Sequence, residues 1–250
     1  MSSLLALAAA SSVLGAALQS ATGSGFALLA APAFFAAFGP QAAIGFLLVL
    51  SVETSVLTIA GERRRPQPVV RDTAIIIVLA LPGAVLGAVV LSVLDAASLR
   101  YAVAVGVLIA LLVRWATARR MPLASRSQPW WSAPAAGFAA GLLTTTTNTS
   151  GPPLLLHLTG NGAEPQAVRD TISACYIGLS LVSAAALCLT RTTGAVPHPA
   201  TLAVLAPLAA AGQFAGRPVF RRLAAGRHYE SAVTAVLALA AGVGALGAAL

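Results

Sequence analysis

The chain has 250 residues, of which 58% are hydrophobic and 9% charged, whereas a soluble domain carries about 25% charged residues. With a mean hydropathy of +0.88, there are too few polar side chains to coat a water-facing globule, so the apolar surface must meet lipid. The net charge of +8 comes from 15 Arg and no Lys against seven acids; these arginines sit in short loops between apolar stretches, not in a basic stripe with interleaved aromatics, which excludes nucleic acid as a partner.

Eight apolar segments are expected. The first covers Leu4–Phe38 and the second Ala42–Ala60. Residues 1–20 have no basic n-region, and the first charged residue is Glu53. The N-terminus therefore reads as a membrane segment, not a cleaved leader. A basic, proline-containing loop from Glu62 to Pro68 leads to the third segment, Thr73–Leu94, and then the fourth, Leu99–Ala116. The central linker runs from Arg119-Arg120 through Arg126 and closes on Trp130 and Trp131, at a plausible headgroup level. The fifth segment is Trp131–Gly160, the sixth Ala167–Leu189, the seventh Thr201–Gly216 and the eighth Ser231–Leu250. Arg221, Arg222 and Arg227 lie between the last two.

Cys175 and Cys188 fall in apolar sequence with no metal-ligand spacing, so both read as buried free thiols. No metal or cofactor is expected. An enzyme is not expected either: HExxH and GxSxG are absent, and the three histidines show no paired spacing.

The first and fifth segments are too long for plain spans, and each contains a polar, glycine-rich break. The breaks lie at matching places. Gly15 and Gly25 correspond to Gly141 and Gly151 at an offset of 126, and Pro40-Gln41-Ala42 to Pro165-Gln166-Ala167 at 125. Gly83 and Gly87 correspond to Gly212 and Gly216 at 129. A duplication of four segments is the simplest reading, with repeats over 1–120 and 121–250 forming one integral membrane domain. Interrupted helices at corresponding positions of two repeats point to a transporter binding site. If each broken segment dips in and returns, each half crosses three times. The halves are then inverted, and all three basic loops lie on one side.

A helix that restarts after a break presents free N–H groups and a positive dipole end, which bind anions without a buried cation. The expected anion site therefore takes Gln19, Ser20, Thr22, Gly23, Ser24 and Gly25 from the first break. From the second it takes Thr147, Asn148, Thr149, Ser150, Gly151 and Pro152. The hydroxyls and amides are donors, and a proline in the first turn loses no needed N–H. Ser and Thr hydroxyls bonding back to their own helix are the structural alternative. Glu53 lies inside the second segment, where a carboxylate is costly, and is a candidate coupling residue. His157 is a second coupling candidate, or a hydrogen-bonded core residue. Arg217 is an end-of-helix arginine or an anion attractor at a cavity mouth.

Three features together resemble the TauE/SafE sulfite exporter family, also called the toluene sulfonate uptake permease family. They are Gly23-Ser24-Gly25-Phe26 followed by Pro32, the mid-chain Gly151-Pro152-Pro153-Leu154, and a Gly-x-x-x-Gly before a basic turn in each half. The resemblance covers essentially the whole chain. It implies a multi-pass protein of the bacterial inner membrane that carries small sulfur-containing anions such as sulfite or sulfonates. Such a carrier is driven by an ion gradient, with the proton as the expected coupling ion, and a homodimer is compatible with it. The chain departs from the family in its Thr-rich run at 144–147 and in His157. The expected fold is all-α and polytopic. A passive anion channel and an accessory membrane subunit are the alternative functions.

Overall fold

Where water is excluded, a backbone must satisfy its own hydrogen bonds, so long Ala, Leu and Val runs fold as helices. The computed structural model describes residues 2–22, 25–61, 65–93, 98, 129–161 and 163–224. Among these residues there are eight helices and no strand. They are α1 (Ser2–Thr22), α2 (Phe26–Phe38), α3 (Pro40–Ala60) and α4 (Val70–Val93), then α5 (Ser132–Thr147), α6 (Gly151–Gly160), α7 (Pro165–Leu189) and α8 (Pro199–Ala224). A single 3-10 turn at Thr193–Ala195 links α7 to α8. Five helices (α1, α3, α4, α7 and α8) are long and apolar enough to cross a membrane. The chain is an all-α, polytopic membrane protein.

The expected fourth and eighth segments and the repeat boundary near residue 120 lie outside the described residues. Helix α8 runs eight residues beyond the expected end at Gly216. Arginine is a good helix former, so a basic stretch from Arg217 onward prolongs the helix instead of ending it. One expectation is corrected: Cys175 is buried, but Cys188 is exposed, on the outward side of the last turn of α7.

Chain direction follows from a few contacts. Ser132 starts α5, yet its Oγ lies 3.0 Å from Nδ1 of His157 in α6. A continuous helix would hold residues 25 apart roughly 37 Å from each other, so the chain reverses at the second break. It reverses at the first break as well, because Gly15 of α1 packs against the backbone of Phe26 in α2. Helix α3 begins beside the Ala195 backbone and ends beside Arg217, so it runs parallel to α8. Helix α7 begins where Asp170 and Thr171 accept the Gln67 and Val69 N–H groups (2.8 and 2.9 Å), and so runs against α3. Taken in order, the four helices of residues 2–93 and the four of 132–224 run in opposite senses. Gly61, Arg65, Arg71 and Arg217 gather at one face, together with the start of α5. Among the described residues, the other face carries Arg191.

The fourth helix of each set packs against the first helix of the other. Helix α4 lies along α5, with Gly137 and Gly141 seated on the Ile76 and Ala80 backbones. Helix α8 lies along α1, with Gly212 and Gly216 seated on Val13 and Ala17. A Cβ at any of these four glycines would collide with backbone. Small residues let helix backbones approach closely, which is what holds helices together in lipid. One buried apolar cluster joins α4, α5, α6 and α7 through Ile76, Ala140, Leu154 and Ile172. The other centres on α1, α2 and α3, with Phe26, Phe34 and Leu47.

Candidate functional site

The two breaks face each other across α3. Gln19, near the end of α1, donates from Nε2 to the Ser55 hydroxyl at 3.2 Å. Asn148, just after α5, donates from Nδ2 to the Ser51 hydroxyl at 2.7 Å and to the Leu47 carbonyl at 3.3 Å. Ser51 and Ser55 are one turn apart, near the midpoint of α3. Between them lies a small cavity of about 30 Å³ lined by residues of both breaks, of α3 and of α7.

The local backbone explains why the breaks open there. Gly25 has φ 120°, a conformation closed to most L-residues, and caps α2 with no side-chain hydrogen bond. Asn148 ends α5 in the left-handed region (φ 55°), where Asn is the best tolerated residue after Gly. Ser150 caps α6 without bonding it through its side chain, and Pro152 and Pro153 occupy the first turn. Both restarting helices therefore turn uncapped N-termini toward the cavity. Among the described residues no lining residue carries a charge; the polar contributions come from Gln19, Ser51, Thr144, Asn148, Thr149, Tyr176 and Ser180. Gln19 Oε1 and Ser180 Oγ are buried with no hydrogen-bond partner. Leaving such a group unpaired costs about 1–3 kcal/mol, so both atoms are open to a ligand. Turning the Gln19 amide over presents Nε2 to the cavity while Oε1 accepts from Ser55.

The expected residues distribute as follows. Gln19, Gly25, Asn148, Thr149, Gly151 and Pro152 line the cavity. Ser20, Thr147 and Ser150 are buried beside it but do not line it. The Thr22 side chain, Gly23 and Ser24 lie outside the described residues. The Thr-rich run is mostly self-satisfied: Thr144, Thr145, Thr146 and Thr147 each donate to the carbonyl four residues back, at 2.7 to 3.1 Å. Thr147 and Thr149 also pair with each other at 2.6 Å.

Neither Glu53 nor His157 reaches the cavity lining. Glu53 keeps Oε2 buried and unpartnered. His157 is buried, with Nδ1 3.0 Å from the Ser132 hydroxyl and Nε2 3.1 Å from Asp72 Oδ2. One neutral tautomer serves both contacts, with Ser132 donating to Nδ1 and Nε2–H donating to Asp72. This row ties the return arm α6 to the starts of α4 and α5. Arg217 donates to the Leu57 carbonyl at 2.7 Å, closing the C-terminus of α3, and lies over the Phe214 ring.

Sequence reasoning missed Ser51, Tyr176 and Ser180, which lie inside apolar spans. Their signal is a spacing: Ser51, Ser55 and Thr58 on α3 and Tyr176, Ser180 and Ser183 on α7 each fall on one helical face. It also missed Arg169, whose Nη2 donates to the Ser20 carbonyl at the first break, 3.0 Å away.

Helices interrupted around a shared cavity, within a bundle of membrane-spanning helices, define a class: the multi-pass membrane transport proteins. Within that class the chain belongs to the sulfite exporter TauE/SafE family, whose sequence profile matches residues 7–244. Comparison with curated proteins and with solved structures finds no match.

Proposed function

We propose that this protein is a secondary transporter of small oxyanions of sulfur, sulfite or sulfonates, and that the cavity between the breaks is its binding site. One observation carries the reading: two uncapped helix starts, one from each set of four helices, open onto one cavity that holds unpartnered buried polar atoms and, among the described residues, no charged side chain. Such a site offers backbone and hydroxyl donors to an anion. The family's description as sulfite exporters supports sulfur oxyanions as the class of cargo. The opposed helix directions support an inverted repeat, with alternating access about the cavity. The basic face is then cytoplasmic, in a bacterial inner membrane. Glu53 suits the role of proton carrier better than His157, because its Oε2 has no partner whereas both ring nitrogens of His157 are engaged.

The test is uptake of labelled sulfite into proteoliposomes, with and without an imposed pH gradient. Saturable uptake that rises with the gradient is expected. Non-saturating flux indifferent to the gradient would replace the carrier with a channel. Gly151→Leu, which fills the cavity wall at α6, is expected to abolish flux while still inserting. Wild-type flux in that variant would count against the cavity as the site.

A further inference from the structure

The cavity needs a route to water, and α7 carries one. Arg169, Ser173, Tyr176 and Ser180 recur at spacings of four, three and four, which puts them on one face of the helix. The row spans roughly 16 Å. Its inner end, Tyr176 and Ser180, lines the cavity. Its outer end, Arg169, lies near the start of α7 at the basic face and donates to the Ser20 carbonyl, so this side of the helix looks toward the first break. Between them, Ser173 is fully buried and its Oγ has no hydrogen-bond partner, as is true of Ser180 Oγ. Buried hydroxyls are normally paired. A helix that needed these two serines only for packing would satisfy each with the carbonyl four residues back, as the threonines of α5 do.

We propose that this face of α7 is the anion's path between the basic face and the cavity, with Arg169 as the cation that draws the anion in and Ser173 as an intermediate donor. The inference rests on the cavity being the transport site. The positive charge of Arg169 at that face raises the local concentration of anions. A guanidinium attracts an anion, and the neutral hydroxyls beyond it then replace water.

The experiment measures sulfite flux in proteoliposomes for wild type, Arg169→Gln and Arg169→Lys as a function of ionic strength. It is paired with labelling of Ser173→Cys by a membrane-impermeant maleimide, in a background lacking Cys175 and Cys188. Arg169→Gln is expected to lower kcat/KM about tenfold and to flatten its dependence on salt. Arg169→Lys, which keeps the charge, should retain most of the flux and the salt dependence. Ser173→Cys should be labelled from the basic face, and the label should block flux. Wild-type kcat/KM with unchanged salt dependence in Arg169→Gln would overturn the proposal. So would a Ser173→Cys that no reagent reaches from that face; this second arm stands even if the Arg169 variants fail to fold. If Gly151→Leu abolishes flux while these variants behave as wild type, the path alone fails. If Gly151→Leu transports normally, the cavity itself is wrong.

Discussion

At the first break the chain turns through Gly25 and restarts on Phe26, Ala27 and Leu28, each of which lines the cavity and has a backbone N–H. At the second it turns through Asn148 and restarts on Gly151, Pro152 and Pro153. The first four N–H groups of a helix have no partner within it, and the two prolines remove half of them from α6. The second break is also tied down from outside, by Asn148 on Ser51 and Leu47 and by the Thr147–Thr149 pair. The return arm behind it is held by His157. One break is rich in free backbone donors and hinges on glycine; the other is braced and poor in them. Two breaks at equivalent positions need not share the work equally. On the transport function proposed above, the first would hold the anion and the second would shape the wall opposite.

If that division holds, the largest loss should come at the hinge of the first break. Gly25→Val forces a β-branched residue into φ 120°, a strain of about 1–3 kcal/mol placed where the donors are aimed. Sulfite flux at matched protein density is expected to fall by about 100-fold. Flux within a factor of about two of wild type would remove the first break from the site. The second break should fail differently. Asn148→Ala cuts two buried hydrogen bonds and leaves Ser51 and the Leu47 carbonyl short of a donor, which should cost about 2 kcal/mol of stability. Thermal unfolding in detergent reads that loss, and the surviving folded protein should retain most of its affinity for sulfite. Equal loss of affinity in both variants would erase the distinction between the breaks.

Much of this was legible in the residues. Apolar runs near 20 residues long can only be spans, and Gly-rich polar breaks inside two over-long segments mark interruptions. The reversal at each break was readable as an expectation from where the arginines fall. What stayed hidden was partnership across distance. Asn148 reads as one more polar residue until it is found 97 residues away from its hydroxyl partner on α3. Arg169 looks like any arginine at a helix start, and its contact with Ser20 is 149 residues off in sequence. The threonines of α5 are donors by composition, yet their protons go to their own helix, because a carbonyl four residues back is always within reach of a hydroxyl. Composition counts donors; only packing decides which of them are free.

The smallest effect expected from this comparison is also the most specific. Pro152 lines the cavity and lacks an N–H at a position where its counterpart at the first break, Phe26, has one. Pro152→Ala would supply that missing donor without adding bulk. A charge-assisted interaction at a helix N-terminus is worth about 0.3–1 kcal/mol, so the KM for sulfite should drop by about two- to fivefold, with kcat little changed. The same substitution loosens the first turn of α6, since proline presets the backbone there, and a purely structural proline would therefore yield a weaker or unchanged KM. A tighter KM would mean that the second break takes part in anion binding and is limited by its prolines. An unchanged one would leave the holding of the anion to the first break, with α6 serving as a wall.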